Sequence, residues 1–72
     1  MNIISTTKHS RQGNDCIIND SYHLCEEYGI YFVLKVTKVV GWPDYKDISV
    51  VCNATPDRYI AEHAHTNVGG VL

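Results

Sequence analysis

The chain has 72 residues (8.1 kDa) and a formal net charge of −2, too short to divide into two separately cored units, so it reads as one small domain. A content of 44 % hydrophobic and 19 % charged residues excludes disorder, and the longest unbroken apolar run, Ile30 to Leu34, falls far short of the about 20 residues a membrane helix needs. Six scattered basic residues are outnumbered by eight acids, three cysteines are too few and too odd for a disulfide scaffold, and Met1 to Ser5 shows no leader pattern. The expectation is a globular cytoplasmic domain with no membrane association.

Seven Ile, eight Val, five Thr and seven aromatic residues favour strands. Asn2 to Lys8 reads as a strand, Arg11 to Asn14 as a turn and Asp15 to Ile18 as a short return strand. Ser21 to Tyr28 predicts a short helix, capped by Asp20 or Ser21, with Leu24 and Tyr28 one turn apart and Gly29 closing it. The rival reading is a tight turn at Asn19-Asp20 followed by more strand, and Cys25-Glu26-Glu27 breaks the alternation that reading needs.

Ile30 to Val40 is the clearest strand. Its expected core row is Ile30, Phe32, Leu34, Val36 and Val40, with Tyr31, Val33, Lys35, Thr37 and Val39 on the other face. Gly41 to Tyr45 then turns the chain, and Lys46 to Asn53 returns as a hairpin partner with Ile48, Val50 and Cys52 inward. Thr55-Pro56-Asp57-Arg58 opens a helix: Thr55 caps it, Pro56 takes the first helical position and Asp57 faces the positive end of the dipole. Tyr59, Ile60 and Ala64 share a face with His63 beside them, and the helix should stop near His65 or Thr66, with Asn67 or Gly69 terminating it and a loose end beyond. The order β-β-α-β-β-α makes a two-layer α+β sandwich of three or four antiparallel strands.

Chemistry-bearing patterns are sparse. His63-x-His65 would chelate a metal from a strand, but on a helix residues two apart diverge, and no C-x₂-C pair accompanies them. A Cys/His metal or thiol-redox site is therefore the alternative reading, with no cofactor expected. Cys16, Cys25 and Cys52 sit in apolar contexts, where cysteine acts as a small hydrophobe, and Cys25 has no base in reach on a helix, which argues against an enzyme. Gly69-Gly70 precedes no helix and makes no phosphate cradle.

Aromatic placement is more informative. Trp42 and Tyr45 flank Pro43 in the expected loop, and Tyr31 and Val33 lie on the strand face assigned away from the core. Such aromatics anchor binding surfaces because they bury large area at small entropic cost. The sequence thus predicts a non-enzymatic protein-binding domain, an adaptor or an inhibitor of a larger protein. Its contact set is Tyr31, Val33, Trp42, Asp44, Tyr45 and Asp47, the acids tuning encounter. Short, mildly acidic, motif-free domains of this kind are familiar among phage and mobile-element products, an analogy rather than a reading of residues. A core this small also favours a homodimer. The remaining alternative is a nucleic-acid module using Lys35, Lys46 and Arg58 beside Tyr31.

Overall fold

A computed structural model describes residues 1–71, with side chains through Val68. Four strands, β1 (Asn2–Gln12), β2 (Ile17–Glu27), β3 (Ile30–Val39) and β4 (Trp42–Thr55), form an antiparallel meander in the order β1-β2-β3-β4. One helix, α1 (Arg58–Val71), follows. The class is α+β, as the sequence predicts, and Leu72 of the expected loose end lies outside the described residues.

The expected helix over Ser21–Tyr28 is instead the second half of β2. Tyr28 and Gly29 form a two-residue hairpin loop with φ of 52° and 78°, both left-handed, so Glu27 pairs with Ile30 and Leu24 with Val33. Two positive φ values give the loop the twist that matches its flanking strands. Glu26 stabilises it by accepting the Gly29 N–H at 2.9 Å. Because β2 lies between β1 and β3, its backbone gains ladder partners on both sides, and that pairing outweighs a weak local helix preference.

The β3–β4 loop is likewise shorter than expected. Val40 and Gly41 make the turn, with Gly41 at φ 87°, and strand resumes at Trp42. Pro43 is tolerated because β4 is an edge strand that leaves one row of backbone donors unpaired. At the helix start, Asp57 rather than Thr55 is the cap: its carboxylate accepts the Tyr59 N–H at 2.9 Å, while Thr55 accepts the Asp57 N–H at 3.1 Å in the preceding turn. Pro56 therefore precedes the cap, and the helix continues past the expected stop to Val71.

The largest correction concerns which face is covered. Helix α1 lies over Leu24 and Val33, which with Ala61 form the buried core, and Tyr31, Cys52 and Ala64 pack around them. Tyr59 and Ile60 of the expected packing face are exposed. The row containing Val33 is the inner one, and by alternation Ile30, Phe32, Leu34 and Val36 lie on the opposite face. Cys52 turns inward as expected, whereas Ile48 and Val50 do not. Val33 pairs with Cys52 but Leu34 pairs with Val50, so Val51 bulges out and reverses the alternation of β4.

His65 fastens the two layers, its buried Nε2 donating to the Tyr22 carbonyl at 3.0 Å. A 14-residue helix is about 21 Å long, and the molecule measures 41 × 25 × 16 Å, so roughly half of the sheet's length lies beyond it. The chain exposes 4978 Å², against about 4,500 Å² for a typical monomer of its mass.

Candidate functional site

Beyond the helix, the inner face of the sheet turns polar. Arg11 Nε donates to Asp20 Oδ2 at 2.9 Å and the Thr37 hydroxyl donates to Oδ1 at 2.7 Å, so both oxygens of this buried carboxylate are bonded. Burial pushes the Asp20 carboxyl up, but the hydrogen bonds from Arg11 and Thr37 and the nearby charges of Arg11 and Lys35 outweigh it and hold the group below the ordinary carboxylate range. The Lys35 ammonium lies 5.8 Å from the Tyr22 ring centroid, and His9 meets the same ring edge-on. Among the described residues, His9 Nε2 is buried without a hydrogen-bond partner.

Trp42 and Tyr45 come together at the far end of the sheet. They share a cup of about 400 Å³ with Val39, Cys16, Asn14 and Asp15. Trp42 is 65 % exposed and Tyr45 47 %; Asp44 and Asp47 are exposed on the same strand. The other two residues of the expected contact set are elsewhere. Val33 is fully buried under the helix and belongs to the core, which corrects its assignment as a contact residue. Tyr31 is half-buried at the helix start, with the Arg58 guanidinium 5.9 Å from its ring centroid. Both misplacements follow from the inverted faces of β3.

The other candidate sets are also separated. His63 is exposed and stacks on Tyr59 with ring centroids 5.2 Å apart, whereas His65 turns into the helix–sheet junction, so the two do not converge on one ion. Among the described residues no three His, Cys, Asp or Glu side chains gather as a metal site. The three cysteines are free, and burial pushes the Cys25 thiol up, away from thiolate reactivity. Of the proposed basic set, Lys35 and Arg58 lie over tyrosine rings on the helix side, while Lys46 is exposed in the stretch of β4 where the register with β3 shifts.

That opposite face is the part the sequence reading missed. Helix α1 packs on one side of the sheet only, so among the described residues no element covers the other. Cross-strand register orders it into two successive rows: Lys8, Ser21, Val36, Ile48, then Thr6, His23, Leu34, Val50. The β1–β2 half is thus polar and the β3–β4 half apolar, with Phe32 extending the apolar half. Ile48 is 53 % and Val50 59 % exposed. The signal that would have found this face is the Tyr28-Gly29 loop, because once β2 is a strand its register places His23 beside Leu34.

No family model matches the chain, and no curated protein or solved structure shows significant similarity to it. No helix among the described residues is long and apolar enough to cross a membrane.

Proposed function

We propose that the chain is a non-enzymatic protein-binding domain, an adaptor or an inhibitor, that covers a surface of a larger protein with its edge strand β4 and the apolar half of its open face. The supporting observation is that Ile48 and Val50, each more than half exposed, continue the uncovered Val36 and Leu34 rows. Contiguous apolar surface on a small domain marks an interaction site, since each exposed Å² forgoes roughly 25 cal/mol of burial. Trp42 and Tyr45 supply aromatic anchors and Asp44 and Asp47 charge for encounter from the same edge strand; Trp42 and Asp47 pair with the helix-side row of β3, so the contact wraps around that edge. Three free cysteines fit a reducing, cytoplasmic setting.

The test is affinity capture from native host extract with the wild-type chain, Ile48→Lys/Val50→Lys and Trp42→Ala/Tyr45→Ala, after circular dichroism has confirmed that each variant folds. A partner held in stoichiometric amount by the wild type should be lost with the first variant and bound at least about tenfold more weakly by the second, the range of two hot-spot truncations. Unchanged capture by both variants refutes the assignment. Sedimentation of the purified chain reads the homodimer separately: a dimer that Ile48→Lys/Val50→Lys dissociates makes a second copy the partner of this face.

A further inference from the structure

The polar half of the open face holds a cup of about 510 Å³. Its lining includes Lys8 and Ser10 from β1, Asn19, Ser21 and His23 from β2, and Lys38 from β3. Pairing fixes how they meet. Lys8 lies across from Ser21 and Lys38 across from Asn19, so the two lysines stand on strands either side of β2, diagonal to one another. Neighbouring strands are about 4.8 Å apart, which lets both ammonium groups reach the space above Asn19 and Ser21.

The neutral groups are oriented as donors. Ser10 donates to Asn19 Oδ1 at 2.7 Å, which fixes the amide and leaves its NH₂ free. The Thr6 hydroxyl lies 2.9 Å from His23 Nδ1, and when it donates there, Nε2 carries the proton. Asp20 also borders the cup, but both its carboxylate oxygens are engaged by Arg11 and Thr37, and alternation sends that side chain to the helix side. Among the described residues of β1 to β3, the carboxylate on the open face is Glu27, at the far end of β2 and 3.8 Å from the Met1 amino group.

We propose that this cup is a binding site for the phosphoryl group of a small phosphorylated molecule. Two lysines match a dianion, where a carboxylate would leave one unneutralised, and the hydroxyl, amide and imidazole donors suit the oxygens of a tetrahedral oxyanion. The volume exceeds that of a lone phosphate and has room for a polar body of sugar size. The site is independent of the apolar contact proposed for β3 and β4, and each can fail without the other.

The test is titration of the ¹⁵N-labelled full chain, in a phosphate-free low-salt buffer, with inorganic phosphate, ribose 5-phosphate, acetate and a short oligothymidylate, at matched ionic strength. Inorganic phosphate should give saturable shifts confined to the amides around Asn19, Ser21 and His23, with ribose 5-phosphate binding at the same amides at least as tightly and acetate at least fivefold more weakly. Lys8→Gln and Lys38→Gln should each weaken phosphate by about fivefold to thirtyfold, the effect of losing one unit charge at about 4 Å in water from a phosphate of charge −1 to −2. Lys35→Gln, on the other face, should leave it unchanged. Non-saturating shifts, equal response to acetate and phosphate, or equal weakening by Lys35→Gln overturn the site. Oligothymidylate binding far tighter than ribose 5-phosphate would overturn the small-molecule class in favour of a nucleic-acid backbone.

Discussion

Asp20→Asn tests whether the polar cluster beyond the helix holds the outer half of the sheet. The substitution keeps side-chain shape but replaces one carboxylate oxygen by a donor. Either Arg11 or Thr37 then faces an NH₂ group, and the surviving bond loses its charge assistance. A hydrogen bond to a charged group contributes about 1.5–3 kcal/mol. The Arg11 side chain is 56 % exposed, so solvent screens its share and the lower part of that range applies. The expected loss is about 2 kcal/mol at neutral pH, which for a domain of this size lowers Tm by about 10 °C.

The pH dependence carries a definite sign. In the unfolded chain Asp20 titrates near the ordinary value of about 3.9, and in the folded chain below it. Between those values the unfolded state binds more protons, so this contribution is complete above the unfolded value and is lost as pH falls through the folded one. Urea unfolding of both proteins, followed by circular dichroism from pH 7 down to about pH 2, should show a stability gap that closes on acidification. A gap that is the same at every pH, or absent at neutral pH, would refute the electrostatic account.

Three further outcomes are expected. Val33→Ala removes two buried methylene equivalents at the centre of the helix–sheet contact and should cost about 2 kcal/mol in urea unfolding, whereas a contact-face residue would change stability by less than about 0.5 kcal/mol. Tyr28→Asn should raise stability by about 0.5–1 kcal/mol, because Tyr28 is 96 % exposed at a φ of 52° that asparagine adopts more readily, and thermal unfolding of the variant checks this. With a thiol reagent, Cys16 and Cys52 should be modified first and Cys25 only as fast as the chain opens, as peptide mapping by mass spectrometry would show; early labelling of Cys25 would contradict its burial.

The sequence made legible the elements whose signals are local. Ile30 to Val39 alternates strongly enough to identify itself, and Thr55-Pro56-Asp57 announces a helix even though the cap proves to be Asp57. What stayed hidden depends on pairing. Tyr28-Gly29 lacks the asparagine or aspartate that usually marks a left-handed hairpin loop, so β2 was hard to see and the register of the sheet with it. Without register, the more apolar row of β3 is Ile30, Phe32, Leu34 and Val36, so the local pattern points to Leu34 as core, whereas the helix sits on Val33 in the row that also carries Lys35 and Thr37. The bulge at Val51 likewise breaks the alternation of β4, since it puts Cys52 inside and leaves Val50 outside. Trp42 and Tyr45 remained legible as a pair because their closeness in sequence survives either arrangement.

The same partition changes what the net charge of −2 means. Asp20, Glu26 and Asp47 lie on the helix side of the sheet, with Asp57 at the helix cap and Glu62 on the helix, while Lys8 and Lys38 fall on the open face of β1 to β3 against Glu27. The whole-chain balance argues against anionic partners, yet the uncovered surface around Lys8 and Lys38 is locally basic. Two copies stacked through their open faces would set like charges opposite one another, a cost that salt screening reduces. Self-association through this face should therefore strengthen as ionic strength rises, whereas binding of a partner with acids around an apolar patch should weaken. Measuring either association at low and high salt separates the two cases, because the hydrophobic contribution is common to both and only the sign of the charge contribution differs.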